Sequence, residues 1–191
     1  MSISDFKKSN YSLSSGLITL NLISEKEFND DSYKWLNDQD ITKFMDKGYR
    51  ENTKEKQTEY YKEMIESDTD VLFAIIENSR NLHIGNAGFH NIDIRHNRST
   101  LGVVIGEKRY WKGGYALEVC YNLTKIGFDI LKFNKIIGDY MVGNEAPKSI
   151  WRYIGFSDSG ILKQHYLKND KYIDVCMISM LRDDWINKSR K

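Results

Sequence analysis

Apolar and polar positions change period several times along the chain, and each change marks an element. Leu17 to Ile23 alternates, with Leu17, Thr19 and Asn21 against Ile18, Leu20 and Leu22, and predicts a first strand. Ser24 with Glu27 three residues on has the form of a capping box, so a helix is expected from there to about Asn37. Ile41 to Tyr49 reads as a loop carrying Phe44 and Met45, and Asn52 or Thr53 caps a helix over about 54–67. Val71–Glu77 and His83–Ile92 form a strand pair around the turn Asn78-Ser79-Arg80-Asn81, and Thr100–Ile105 follows as a fourth strand after a polar turn over 93–97. Leu117, Cys120, Tyr121, Leu123, Thr124 and Phe128 fall at helical spacing, which predicts a helix over 116–131. Ile136–Val142 is a fifth strand. Pro147 suits the first turn of a helix that Gly155 would stop. A hairpin of Ile161–Leu167 and Tyr172–Leu181 closes the pattern. The order β-α-α-β-β-β-α-β-α-β-β predicts a mixed α/β fold with helices on both faces of one sheet. Residues 1–15 read as a polar, Ser-rich tail, 16–186 as one domain and 187–191 as a second short tail.

Composition narrows the partners. The 191 residues suit one domain with a real core, and 40% apolar with 29% charged residues is a soluble, globular mix. The net charge of +1, from 28 basic and 27 acidic side chains, argues against nucleic acid, which needs clustered cations. Charge is well mixed, and the dense patch over 54–63 alternates in sign as a solvated helix face does. Cys120 and Cys176 each sit in an apolar run without metal-like spacing, so both are expected as buried thiols with no metal site. The start MSISDFKKSN lacks an apolar signal segment, and no run approaches the ~20 apolar residues of a membrane span. A cytoplasmic protein, monomeric or homodimeric, is the expectation.

The informative segment is Val103-Val104-Ile105-Gly106, followed by a loop to Trp111-Lys112-Gly113-Gly114-Tyr115-Ala116-Leu117-Glu118. A strand, a glycine-bearing loop and a helix start turn successive N–H groups toward one point, which suits a phosphate or pyrophosphate. A glycine pair alone is equally consistent with a tight turn and no ligand. The spacing is neither that of a P-loop nor that of a dinucleotide fingerprint.

At these residues the chain resembles the GNAT superfamily of acetyltransferases. The family pattern Gln/Arg-x-x-Gly-x-Gly/Ala aligns with Trp111 to Ala116, with Trp111 where Gln or Arg is usual. Tyr110, Trp111 and Glu118 resemble the branch that holds ribosomal-protein N-terminal and polyamine acetyltransferases, although Lys112-Gly113 stands where Gly-Lys is common. Asn144-Glu145-Ala146 with Gly155-Phe156 at fixed spacing, and the tail Tyr166 with Tyr172-Ile173-Asp174-Val175, continue the likeness, which spans about 17–185.

The resemblance implies a mostly antiparallel sheet splayed between the fourth and fifth predicted strands, with acetyl-CoA as cosubstrate in the gap. It assigns cofactor contacts to Val104, Ile105, Gly106, Trp111, Lys112, Gly113, Gly114, Tyr115, Ala116, Asn144 and Trp151. A backbone N–H near Val104 would polarise the thioester carbonyl, and the amine would attack directly in a ternary complex.

Two family positions differ. Trp151 stands where a Tyr acid is usual, seven residues after Asn144, and Thr100 where a Glu is common. His90, at the end of the third strand, is the candidate base, with a partly packed strand histidine as its alternative. His165, Tyr166 and Asp139 have packing or solvated readings of the same kind, and the tryptophans read as core and cleft wall. The acceptor is a small-molecule or peptide amine. Lys43, Phe44, Lys47, Tyr49 and Arg50 favour an amino sugar or other small amine, whereas Glu25, Glu27, Asp30 and Asp31 would suit a polyamine. The rival of another class is an acyl-CoA-binding module without catalysis.

Overall fold

One strand pair organises the sheet. The structure, a computed structural model, describes residues 2–29 and 31–189. Among them are β1 (Ser12–Ser14), β2 (Ile18–Leu22), β3 (Val71–Glu77), β4 (Leu82–Asp93), β5 (Arg98–Ile105), β6 (Lys135–Met141), β7 (Ser157–Lys168) and β8 (Lys171–Leu181). They form a single sheet in the order β1-β2-β3-β4-β5-β6-β8-β7. Every neighbouring pair is antiparallel except β5 and β6. That parallel pair is short. Its register runs Arg98↔Lys135, Ser99↔Ile136, Thr100↔Ile137 and stops, while β5 continues to Ile105 and β6 to Met141. The two strands part beyond Thr100 and Ile137, as the predicted splay requires.

Helices cover both faces. The helices are α1 (Ile3–Lys8), α2 (Gln39–Thr42), α3 (Lys54–Glu66), α4 (Tyr115–Lys125), α5 (Glu145–Ile154) and α6 (Arg182–Ser189). On one face α3 buries Tyr61 against Ile23, Leu72 and Ala74. The other face holds the larger core, in which Phe73, Ile75, Phe89, Leu101 and Ile136 meet Phe6, Val119, Leu123, Phe128, Trp151 and Trp185. Both cysteines are free and buried, and burial pushes the Cys120 thiol up. No helix among the described residues is long and apolar enough to cross a membrane.

Four expectations are corrected. The N-terminal tail contains a packed helix: Ser2 and Asp5 make a capping box, and Ile3 and Phe6 are buried. Two apolar residues are too few to show a period, so the segment read as polar. At the other end α6 runs into the second expected tail as far as Ser189, and Arg190 and Lys191 lie outside the described residues. Its anchor is Trp185, whose indole N–H donates to Asp129 at 2.9 Å. The helix expected over 24–37 is two 3-10 turns, Glu25–Asn29 and Ser32–Asn37. Glu27 does reach back to the Ser24 N–H at 2.9 Å, but Asn29, Asp31 and Ser32 are poor helix formers, and the Ser32 hydroxyl is drawn to Tyr61 at 2.8 Å. The long helix changes hand-off near its end, where Leu131 N–H reaches Ile126 O in a π turn over Ile126–Ile130.

Phe6 is fully buried against Tyr11 and Phe73. Phe6→Ala should therefore lower the unfolding free energy by about 3–5 kcal/mol in urea titration. A loss below about 1 kcal/mol would show that α1 adds nothing to the core.

Candidate active site

The parting leaves one edge of β5 without a strand partner. Gly106 N–H donates to Ile84 O at 2.8 Å, which fixes which way β5 points its polar groups. Backbone groups alternate sides along a strand. Gly102 and Val104, paired with Gly88 and Asn86, therefore spend theirs on β4, while Val103 and Ile105 turn theirs toward the gap. Of the N–H groups near Val104, those that face the gap belong to its neighbours, and Val104 spends its own on β4. Ile105 O is already taken, since Trp111 Nε1–H donates to it at 2.9 Å. This bond gives Trp111 a role that its place in the motif did not reveal.

Gly106 has a steric reason to be glycine. A Cβ there would fall 1.9 Å from the Trp35 ring. Trp35 is held in turn by an edge contact to His83 at 5.1 Å, and His83 bonds Asn86, whose amide donates to Tyr61 at 3.1 Å. Tyr61 also meets Ser32. The chain from Ser32 to His83 thus fastens the 3-10 segment carrying Trp35 onto the sheet. Lys108 adds ion pairs to Asp38 at 2.8 Å and Asp40 at 2.5 Å across a hollow of about 320 Å3.

The glycine loop has the backbone that its motif needs. Gly113 and Gly114 have φ of +86° and +88°, a left-handed pair that other residues adopt only with strain. Gly114 is the N-cap of α4 and supplies no side-chain cap. The first helical bond runs from Glu118 N–H to Gly114 O, so the N–H groups of Tyr115, Ala116 and Leu117 have no partner within the helix. Lys112 is exposed beside them. This is a concave set of donors with a cation at its rim, the chemistry of a pyrophosphate site. Tyr115 packs edge-on to Tyr110 at 4.9 Å. Glu118 is structural: it accepts from Leu17 N–H at 2.8 Å and from the Ser15 hydroxyl, tying α4 to the turn between β1 and β2.

On the far side of the gap Asn144 is the N-cap of α5, and its side chain makes no cap hydrogen bond. Trp151 is corrected from cleft wall to core. It is 4% exposed and packs on Phe156 at 5.1 Å. Tyr153 on the same helix is 72% exposed, with Lys188 near its ring, so α5 brings no phenol into the gap.

His90 stands on the face covered by α3, opposite Thr100 in the register. Its Nδ1 lies 3.0 Å from Asp70 Oδ1. Asp70 is held by hydroxyls of Ser67 at 2.7 Å and Thr69 at 3.0 Å. Partial burial works against its charge, but bonds from Ser67, His90 and Thr69 outweigh that and hold the carboxyl below its usual range. The other ring nitrogen leans over the strand: a Cβ on Gly102 would sit 3.5 Å from His90 Nε2. An ionised Asp70 accepting from Nδ1–H leaves the Nε2 lone pair facing the parting. Thr100 and Ile137 also line a depression of about 300 Å3 with Asn91, Asp93, Arg98 and Ser99.

Asp70 was missed in the sequence. It sits in a polar run before β3, and only the antiparallel pairing of β3 with β4 brings it to His90. Of the acidic group considered for a polyamine, Glu27 is spent on Ser24, Asp31 pairs with Lys34 at 2.7 Å, and Asp30 lies outside the described residues. Lys43 and Arg50 lie over their own neighbours Phe44 and Tyr49.

Known proteins share this fold. A family model described as an acetyltransferase (GNAT) domain matches residues 18–157. An uncharacterized N-acetyltransferase, YoaA of Bacillus subtilis, is 29% identical over 99 residues, covering 52% of this chain and 55% of that protein. A second, p20 of Bacillus licheniformis, is 28% identical over 113 residues, 59% of this chain and 63% of its own length. The chain thus spans little more than half the length of these two relatives. Spermidine N(1)-acetyltransferase of Vibrio cholerae is 24% identical over 131 residues, 69% of this chain and 75% of that one. Among solved structures, spermidine N-acetyltransferase from Vibrio cholerae in complex with CoA and spermine superposes with a TM-score of 0.81 at 20% identity, covering 91% of this chain and 100% of that one. Ribosomal-protein-S5-alanine acetyltransferase from Vibrio fischeri also gives 0.81, at 17% identity, covering 92% and 98%. With a family model matched over most of its length and the splayed sheet and glycine loop in place, the chain belongs to the GNAT family of acetyltransferases.

Proposed function

We propose that the protein transfers the acetyl group of acetyl-CoA to a primary amine by direct attack within a ternary complex. The observation that carries this reading is a continuous polar track. The unpaired edge of β5 leads to the left-handed Gly113-Gly114 pair and the open N-terminus of α4. An extended pantetheine arm pairs with the gap-facing groups of Val103 and Ile105 as an added strand would, and the pyrophosphate rests on the loop. The Asn144 amide faces the arm from the β6 side. Val103 N–H takes the place first given to Val104, donating to the thioester oxygen as negative charge grows on it. The CoA bound in the solved spermidine acetyltransferase of similar fold supports the donor.

The acceptor enters on the α3 face, where His90 waits over Gly102. His90 Nε2 takes a proton from the ammonium, the amine nitrogen attacks the carbonyl carbon, the C–S bond breaks, and the nitrogen's second proton passes to water as the amide forms. CoA leaves as thiolate and takes its proton from water, which a reference thiol pKa of about 8.5 makes easy. The buried Trp151 has no part in that step. Asp70 is a positioning residue that accepts from Nδ1–H and so leaves Nε2 as the acceptor nitrogen of the neutral ring. A base with its own orienting carboxylate beside the gap favours an enzyme over a binding module. A small-molecule amine is the acceptor, since Glu27 and Asp31 are already engaged and an amino sugar, like a polyamine, presents the same primary ammonium. The setting is the cytoplasmic pool of acetyl-CoA.

Gly114→Val should raise the acetyl-CoA Kd by tenfold or more in calorimetric titration, because a side chain strains φ at +88° and crowds the donors. A folded variant that binds as tightly as wild type would remove the loop from the site. His90→Ala should lower kcat by about 100-fold or more with acetyl-CoA affinity unchanged. Asp70→Asn should also lower kcat and leave that affinity alone. Because the Asp70 carboxyl is held below its usual range, its contact to His90 persists in wild type until pH falls below that range, whereas the variant lacks the charged contact at every pH. Wild-type kcat in a folded His90→Ala would return His90 to a packing role.

A further inference from the structure

We infer that Asp139 is the acceptor-binding carboxylate of this site, holding the substrate's ammonium across the parting from His90 and selecting aliphatic, cationic amines over neutral ones. The inference rests on the acetyltransferase reading above and names the acceptor class for it. Its basis is the strand register. Thr100 and Ile137 are the last pair of the parallel ladder, and His90 lies directly across β5 from Thr100. Side chains two residues apart on a strand share a face. Two steps on from Ile137 is Asp139, and two steps on from Thr100 is Gly102, the glycine under His90 Nε2. Asp139 and His90 Nε2 therefore reach the same row from opposite sides of the gap. Gly102 places no side chain between them.

The spacing suits one nitrogen. Adjacent strands lie about 4.8 Å apart, and the parting adds to that. A nitrogen seated over Gly102 comes within hydrogen-bond reach of both an imidazole on one side and a carboxylate on the other.

Asp139 itself lacks a partner. It pairs through its backbone with Met177 of β8, and its side chain is exposed to the gap. Among the described residues no side chain hydrogen-bonds or ion-pairs with it, unlike Asp38, Asp70, Asp93, Asp158 and Asp174, which all have cationic or imidazole partners. Surrounding protein raises its pKa, and the charge of His165 acts in the opposite sense. Tyr166, paired with Ile173, feels the charge of Asp139 and of Asp46 from the loop after α2, which puts the phenol near the carboxylate. A carboxylate that is partly desolvated and unneutralised gains most from an incoming cation.

The step balances without Asp139 exchanging a proton. The ammonium bound to Asp139 gives one proton to His90 Nε2, the free amine attacks the thioester, the C–S bond breaks with its electron pair on the leaving thiolate, the nitrogen's second proton passes to water, and the neutral amide leaves the carboxylate's reach. Neutral product is thereby released from a site built for a cation.

The test compares wild type with Asp139→Asn, which keeps the size and removes the charge. Butylamine, ethanolamine and glucosamine are titrated calorimetrically against each protein saturated with CoA, with aniline, neutral at pH 7, as control. Turnover with acetyl-CoA is measured in parallel. The variant should bind the three ammonium compounds tenfold or more weakly and show KM values raised to match, with aniline and acetyl-CoA affinities unchanged. A folded variant with undiminished affinity for the alkylamines overturns the inference, and so does a wild type that binds none of them. Asp139-dependent binding without any turnover would sustain the inference and overturn the proposed acetyl transfer instead.

Discussion

The rest of the structure depends on a strand edge that loses its partner. A buried backbone group without a hydrogen bond costs free energy comparable to a lost bond, so proteins rarely leave one open. Here β5 and β6 hold three register pairs and then part, and the groups of Val103 and Ile105 are left facing a gap. Neighbouring structure limits the cost. Trp111 caps Ile105 O, and the Gly106 N–H is returned to β4. What stays open is a short run of donors and acceptors with the spacing of a missing strand. An extended chain with amide groups satisfies it, which is the shape of a pantetheine arm.

The parting also divides the work between the two faces. The large core under α4 and α5 anchors the glycine loop and the open N-terminus of α4. Glu118 ties that helix to the turn before β2, so the anion cradle cannot drift from the sheet. The opposite face is thinner, and its polar groups are arranged rather than buried. Ser32, Tyr61, Asn86 and His83 fasten the segment of Trp35, while Ser67, Thr69 and Asp70 fix His90. Both networks converge on β4 and β5 beside the gap. His90 thus owes its direction to β3 and the turn before it.

Three family positions illustrate how one fold shifts its chemistry. Trp at 151 fills the core against Phe156, so α5 lends packing and no acid. Thr100 has a hydroxyl where a carboxylate is common, and the residue across from it on β4 is His90, paired with the Asp70 carboxylate. Trp111 replaces a cationic or amide side chain and bonds the strand end. Each change moves a task to a neighbour in space and leaves the backbone track intact.

The sequence by itself was enough for the order of most elements, the glycine loop and the placing of Asn144 at a helix start. These are local facts. Period 2 against 3.6 shows over a few residues, and a left-handed turn demands glycine wherever it occurs. It also marked His90 as a candidate base, although not what aims it. α1 and α6 were illegible because each is held by one or two buried side chains, Phe6 or Trp185, too few to make a period. The direction of the gap-facing N–H groups was illegible too, since Val103 and Val104 look alike until the pairing of Gly106 with Ile84 decides the alternation. Asp70 beside His90, and Asp139 in the row of Gly102, are contacts between strands. Only the tertiary register makes them, because which residues meet across a sheet is set by how the strands slide past each other and not by what stands next to each in the chain.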